Sequence, residues 1–203
     1  RGYLYYAYPK DTQLAREVFK YWEKACSIFE SYDIPEKTLN YYRKKVQLSL
    51  LRNNSSEATA YCTLGINYIK TGKYAYQKLL FYWWFYLAMA ISYLQNNPEN
   101  YFNEIEDCLN KVTQYEMLFN SSKKFYILQV KAIYLYYKGE YEHASAINKE
   151  CIVQLNGSRY KSKIDYLPKQ LLHNQNVIDH VIVNDEVTSL VYTNDKLFNL
   201  PCL

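Results

Sequence analysis

Apolar side chains recur every three or four residues along most of the chain, a spacing typical of amphipathic helices. In the first such segment Leu14, Val18, Trp22, Ala25 and Phe29 fall on one helical face. The same period returns in six further segments. The predicted helices run from about Leu14 to Tyr32, Pro35 to Arg52, Ala58 to Thr71, Tyr74 to Gln95, Phe102 to Tyr115, Ser122 to Lys138 and Glu140 to Leu155.

Short polar breaks separate these helices. Residues 53–56, 96–99 and 120–122 supply turn residues, with Ser55 or Ser56 expected as the N-cap of the third helix. Loops of this length join antiparallel neighbours. Five Gly and five Pro in 203 residues are too few for a sheet protein with many tight turns. The sequence therefore predicts an all-α fold, a stack of antiparallel helical hairpins.

The C-terminal part of the chain, residues 158–203, has a mixed pattern. Its apolar residues keep helical spacing, yet residues 177–183 and 186–192 also form two β-branched runs around a turn. A lone hairpin is marginally stable, which favours a helix, and the hairpin stays the alternative. We therefore predict a helical repeat domain over residues 1–157 and a C-terminal extension that adds a further helical pair to the stack.

Two segments share one pattern of small, aromatic and glycine residues. They are Tyr61-x-x-Leu64-Gly65-x-x-Tyr68-x-x-x-Gly72-x-Tyr74 and Leu128-x-x-x-Ala132-x-x-Leu135-x-x-x-Gly139-x-Tyr141-x-x-Ala144. A small residue at Gly65 or Ala132 lets the partner helix approach closely, and Gly72 and Gly139 turn the chain. Both segments resemble the tetratricopeptide repeat (TPR), a helix-turn-helix unit of about 34 residues.

The resemblance implies a TPR-like right-handed solenoid in which the first helix of each hairpin lines a concave groove. The groove residues that it implies are Thr59, Ile66, Lys70, Tyr126, Gln129, Ile133 and Tyr137. Such a groove is aromatic, with Lys70 as its one cation. The implied function is a non-catalytic scaffold or binding module for a protein or peptide, best an extended or helical peptide with apolar side chains. The alternative is that these tyrosines pack against neighbouring helices.

The resemblance also suggests a regulatory setting. Helical stacks of this kind often serve as sensory input domains of bacterial sensor kinases and regulators, and the Tyr- and Asn-rich composition is similar to that of Bacteroidetes and low-GC bacteria. The chain begins at Arg1 rather than Met, so we expect a processed form or an excised piece of a longer protein. The resemblance implies that this longer protein is a signalling protein. A homodimer is compatible with this hypothesis and stays open.

The cysteines bear on metal binding and on the compartment. The five cysteines lie at no metal-ligand spacing, and four of them fall on apolar helical positions, where a thiol acts as a small hydrophobe. We therefore expect no metal site. Free buried thiols favour a reducing compartment and hence the cytoplasm, whereas a periplasmic location stays open for a sensor-kinase input domain.

Motifs for catalysis, cofactors and nucleic acid are missing from the sequence. It has no Gly-rich phosphate loop, no His-Glu-x-x-His and no Gly-x-Ser-x-Gly. His143, His173 and His180 are expected to be ordinary imidazoles. We expect no catalytic activity and no cofactor, with an enzyme site between helices as the alternative. The net charge of +4 and the short, dispersed basic runs do not predict contact with nucleic acid.

One apolar run raises the question of a membrane. Leu79–Leu94 contains no charged residue, yet its 16 residues fall short of the ~20 that cross a bilayer. Its tyrosines and tryptophans prefer the interface to the hydrocarbon centre. We therefore predict no span and place this run at the centre of the helical stack. A membrane-associated module that uses it is the alternative.

Overall fold

The computed structural model of the chain describes residues 12–32, 35–71, 75–115, 121–157 and 167–184. All regular structure in these stretches is helical, with eight α-helices and a short 3-10 helix at Pro98–Tyr101. In chain order the α-helices are α1 (Thr12–Glu30), α2 (Pro35–Leu51), α3 (Ser55–Thr71), α4 (Ala75–Gln95), α5 (Phe102–Gln114), α6 (Ser121–Tyr137), α7 (Tyr141–Asn156) and α8 (Leu167–Asn184). The predicted all-α fold is confirmed for this part of the chain.

Two helices end in the same left-handed cap. Asn53 (φ 55°) follows α2, and Gly139 (φ 82°) follows α6. After α2 the N–H groups of Asn53 and Asn54 donate to backbone carbonyls of the last turn, and Gly139 and Glu140 do the same after α6. Both sets of bonds form a Schellman motif, which satisfies carbonyls that a helix end leaves without partners. These caps reverse the chain within three residues.

The expected N-cap of α3 was wrong. The helix begins at Ser55 itself, so the cap position falls to the residue before it, Asn54. The Oδ1 atom of Asn54 accepts the backbone N–H of Glu57 at 3.3 Å. The left-handed turn at Asn53 brings Asn54 against the first turn of α3, and its amide oxygen caps the helix in place of the hydroxyl of Ser55 or Ser56.

Helix α4 lies in the middle of the stack. Each helix packs against the next one along the chain, and both α3 and α5 pack against α4. The Trp83, Trp84 and Phe85 side chains of α4 are fully buried. Among the described residues no helix is both long and apolar enough to cross a membrane. The apolar run Leu79–Leu94 thus provides the centre of the stack, and the right-handed solenoid stays a prediction.

The C-terminal extension contributes α8, which packs along α7. Residues 177–184 are helical, which excludes the hairpin there, whereas residues 185–192 and the second helix of the expected pair lie outside the described residues. Buried amides line the contact: Asn148 of α7 donates to the Leu171 carbonyl and to Gln175 Oε1, each at 3.0 Å. Because these buried groups are hydrogen-bonded, the cost of removing them from water is offset, and their geometry favours one placement of α8 on α7.

Helices α3 and α4 approach each other closely at Gly65. A Cβ atom at this position would overlap the Phe85 ring of α4. Since Phe85 is completely buried, its ring is held by close-packed neighbours and has no space to move into. The contact therefore requires a residue without a side chain at position 65, as the repeat pattern suggested.

Gly65→Ala tests this contact. Alanine in a helix interior normally stabilises by about 1 kcal/mol relative to glycine, whereas overpacking a core typically costs about 1–3 kcal/mol. We expect a net loss of stability, measured as a lower midpoint of urea unfolding followed by circular dichroism. The matched control is Gly157→Ala, where a Cβ meets only backbone oxygens at 3.8 Å and 3.9 Å. A Gly65→Ala midpoint at or above that of the parent would contradict the close approach.

Candidate functional site

Four of the seven predicted groove residues lie in the interior. Ile66, Tyr126, Gln129 and Ile133 are only 5%, 5%, 4% and 3% exposed. Helix α6, which carries the last three, packs against α4, α5 and α7. The prediction that these side chains face an open groove was therefore wrong, because α6 is covered on more than one side and Ile66 of α3 packs into the core. All four are packing residues. For Tyr126 this agrees with the alternative stated above, that the tyrosines pack against neighbouring helices.

The other three predicted groove residues are less buried. Thr59 is half-buried, and its hydroxyl lies 2.9 Å from Ser92 Oγ and donates to the Ser55 carbonyl at 3.0 Å. Tyr137 is half-buried against the core, with its ring edge-on to Tyr136 at a centroid distance of 5.9 Å. Lys70 alone is exposed. Of the seven residues, four are thus buried, two are half-buried and one is exposed.

A different surface stands out at the junction of α1, α2 and α3. A cleft of about 260 Å³ opens there, which we call the charged cleft. It is lined by Glu23, Cys26, Ser27, Lys45, Leu48, Ser49, Arg52 and Glu57. Two anions and two cations give it a formal charge of zero. Its volume lies below the roughly 300–1,000 Å³ of pockets for drug-sized ligands and is closer to the space that one long side chain fills.

The inner part of the charged cleft combines an apolar floor with a fixed carboxylate. Cys26 and Leu48 are almost fully buried and form the floor. The Ser49 hydroxyl lies 2.7 Å from Glu57 Oε2 and 2.9 Å from the Lys45 carbonyl. The Asn54 amide donates to the same Glu57 oxygen at 3.2 Å. Glu57 also stands in the first turn of α3, where the helix dipole favours an anion.

The mouth of the charged cleft is formed by an ion pair. Arg52 Nη2, just beyond the end of α2, pairs with Glu23 Oε1 of α1. Both side chains are about half exposed, at 50% and 53%. An ion pair this exposed contributes at most about 1 kcal/mol, because water screens it. A ligand can therefore displace either partner at little cost.

Lys45 places its charge against aromatic rings. Its Nζ lies 5.5 Å from the Tyr41 ring centroid and 5.8 Å from that of Tyr61. Ammonium groups at this distance are attracted to the negative face of the ring. The Lys45 stem thus belongs to the wall of the charged cleft, while its head is held by the rings of α2 and α3.

The charged cleft was missed at the level of sequence. Lys45, Ser49 and Arg52 have the i, i+4, i+7 spacing of one helical face, and Glu57 follows Asn54 at capping distance. This pattern indicates a polar face on α2. It cannot indicate that Glu23 and Cys26 of α1 stand opposite that face, because this depends on how the helices pack.

Three cysteines have thiols that are hard to ionise. Burial raises the pKa of the Cys62 and Cys151 thiols, and it raises the pKa of Cys108 to about 12. The cause is that a thiolate in an apolar interior loses its hydration. A neighbouring carboxylate, Asp107, adds to the effect at Cys108. The Cys151 thiol also donates to the Phe125 carbonyl at 3.0 Å. These thiols act as packing groups.

The histidines lie on the surface of the described helices. His173 and His180 are exposed on α8, and His143 of α7 lies beside Glu140, with 3.0 Å between Nδ1 and Oε2. His143 and Lys138 together lower the pKa of the Glu140 carboxyl. In the described ranges no three His, Cys, Asp or Glu side chains lie together in a way that could hold a metal ion.

Comparison with known proteins adds no relative. No protein-family model, no curated protein and no solved structure matches the chain. The resemblance to tetratricopeptide repeats therefore stays a prediction, and the function has to be argued from the geometry.

Tyr126→Ala tests the interior position of the predicted groove residues. Removing a buried aromatic side chain typically costs about 3–5 kcal/mol, because it leaves a cavity. We expect a loss of this size in urea unfolding, whereas Lys70→Ala, at an exposed position, should change stability by no more than about 0.5 kcal/mol. Equal midpoints for Tyr126→Ala and the parent would restore Tyr126 as a surface residue.

Thiol labelling tests the raised pKa values. At pH 8 a thiol with a raised pKa stays protonated, and only the thiolate is nucleophilic. We expect iodoacetamide to leave Cys62, Cys108 and Cys151 unmodified in the folded protein and to alkylate all three in urea, as read by peptide mass spectrometry. Rapid alkylation of Cys108 in the folded protein would show that the helices around it open.

Proposed function

We propose that the chain is a non-catalytic protein-binding module that takes a peptide segment of its partner at the charged cleft. The observation that carries the proposal is the cleft itself, a concave site with an apolar floor, a fixed carboxylate and an exchangeable ion pair within one helical stack. Concave sites with a few well-placed polar groups are the usual places of ligand recognition.

Unused hydrogen-bonding capacity supports this proposal. A guanidinium has five N–H donors, and among the described side chains Arg52 donates to Glu23 alone. Glu23 and Glu57 each keep one carboxylate oxygen for which the described part of the chain supplies no partner. Peptides offer both donors and acceptors, and the cleft can satisfy both kinds.

The wider setting is proposed on the resemblance to helical repeats. A stack that binds a peptide at one end fits a sensory or regulatory input domain of a larger signalling protein, where occupancy of the site biases an output domain. The partner in this proposal is a protein, and the charged cleft replaces the groove predicted from the sequence.

Blocking the charged cleft tests the proposal. Peptides that bind the chain are first selected from a phage-displayed random library. Their affinities are then measured by fluorescence anisotropy for the parent and for Ser27→Trp, which places a large ring at the cleft wall from an exposed position. We expect a loss of about tenfold or more, equivalent to about 1.4 kcal/mol.

The matched control for this test is Ala146→Trp, which enlarges an exposed small residue on α7, away from the cleft. It should leave the affinities unchanged, and circular dichroism should show both variants folded. If the selected peptides bind Ser27→Trp as tightly as the parent, or if no peptide is enriched, the proposed function is wrong.

A further inference from the structure

The charges in the charged cleft are not equally neutralised. Arg52 and Glu23 pair with each other, and the head of Lys45 lies over the Tyr41 and Tyr61 rings. Glu57 differs from these three groups. Its carboxylate accepts from the neutral donors of Ser49 and Asn54, and no described lysine or arginine lies within ion-pair distance of it. Glu57 is therefore the anion of the cleft that no described cation pairs with.

Glu57 is also held in place by two hydrogen bonds. Ser49, one of its partners, is 2% exposed, so this hydrogen bond forms away from bulk water. With Oε2 engaged by two donors, Oε1 is the oxygen left to accept from a ligand. A carboxylate held in this way loses little conformational freedom when a cation binds.

We propose that the charged cleft binds a lysine or arginine side chain of the partner, with the cationic head on Glu57 Oε1. The aliphatic stem of such a side chain lies on the apolar floor of Cys26 and Leu48, as long basic side chains pack their methylenes while the head stays polar. This inference rests on the proposed peptide-binding function and adds the chemistry of the residue that is recognised.

The ion pair at the mouth adds a second anion for the incoming cation. Glu23 is held by Arg52 through an exposed pair, and a basic ligand competes with Arg52 for it. Arg52 is thus a competitor of the ligand rather than its partner. A carboxylate ligand would have the opposite relation, since it would pair with Arg52 and be repelled by Glu57.

This opposition gives a test in which Glu57→Gln and Arg52→Ala are expected to differ in their effect on the affinity for an arginine probe. N-acetyl-arginine amide is titrated into the isotope-labelled chain, and the amide signals of residues 49 and 57 are followed by NMR. We expect saturable shifts, about tenfold weaker binding in Glu57→Gln, and unchanged or tighter binding in Arg52→Ala. Glutamine keeps the shape of the side chain and an oxygen for Ser49 and Asn54, so Glu57→Gln removes only the charge.

Three controls complete the experiment. N-acetyl-citrulline amide, a neutral isostere of the arginine probe, should bind about tenfold more weakly. Glu142→Gln, at an exposed position of α7, should bind the arginine probe like the parent. N-acetyl-glutamate amide should not shift the cleft signals.

The outcomes separate this inference from the proposed function. If the glutamate probe binds and Arg52→Ala weakens it, the inference is overturned, while a peptide-binding cleft that Ser27→Trp blocks still stands. If citrulline binds as well as arginine, or Glu57→Gln has no effect, the charge of Glu57 is not what the site recognises and the inference is likewise wrong. If the selected peptides bind Ser27→Trp as tightly as the parent, the proposed function itself is overturned.

Discussion

The apolar surface of α4 is the constraint on which the rest of the structure depends. Trp83, Trp84 and Phe85 are consecutive residues, so they point to different sides of the helix, and all three are fully buried. A helix of this kind needs neighbours around its whole circumference. Even Arg43 of α2 contributes, since its guanidinium carbon lies 5.0 Å from the Trp84 ring centroid. The apolar run that resembled a membrane segment therefore organises a helical stack.

The two ends of the described chain differ in how far their polar contacts are exposed to water. The contact of α7 with α8 buries amides that satisfy one another, which favours one arrangement of the two helices. At the opposite end of the chain, α1 lies on α2 through Trp22 and Cys26 and through the exposed Arg52–Glu23 pair. The interface there is partly polar and open to water. The charged cleft forms at this end, where α1 packs mainly on α2.

The limits of prediction from sequence follow from the same geometry. The period of apolar residues and the turn residues predict where the helices lie, since both signals are local in the sequence. The helix bounds in the structure agree closely with this prediction. The groove residues on α6 were misplaced because the repeat resemblance treats this helix as having one covered face. In the structure Tyr126, Gln129 and Ile133 are buried, as are most of the described side chains of α6. The charged cleft draws on three helices, and helical periodicity alone carries no information about their mutual placement.

The short connection between α2 and α3 builds the hairpin and the candidate site together. The left-handed conformation of Asn53 closes the last turn of α2 and reverses the chain, and Asn54 then caps α3 with its side-chain oxygen. The same reversal brings Glu57 against Ser49, eight residues earlier. The Asn54 amide nitrogen donates to the Glu57 carboxylate that its oxygen helped to position. The carboxylate is thus fixed by the interactions that form the turn, and it keeps an oxygen for a ligand because the turn itself needs only the other one.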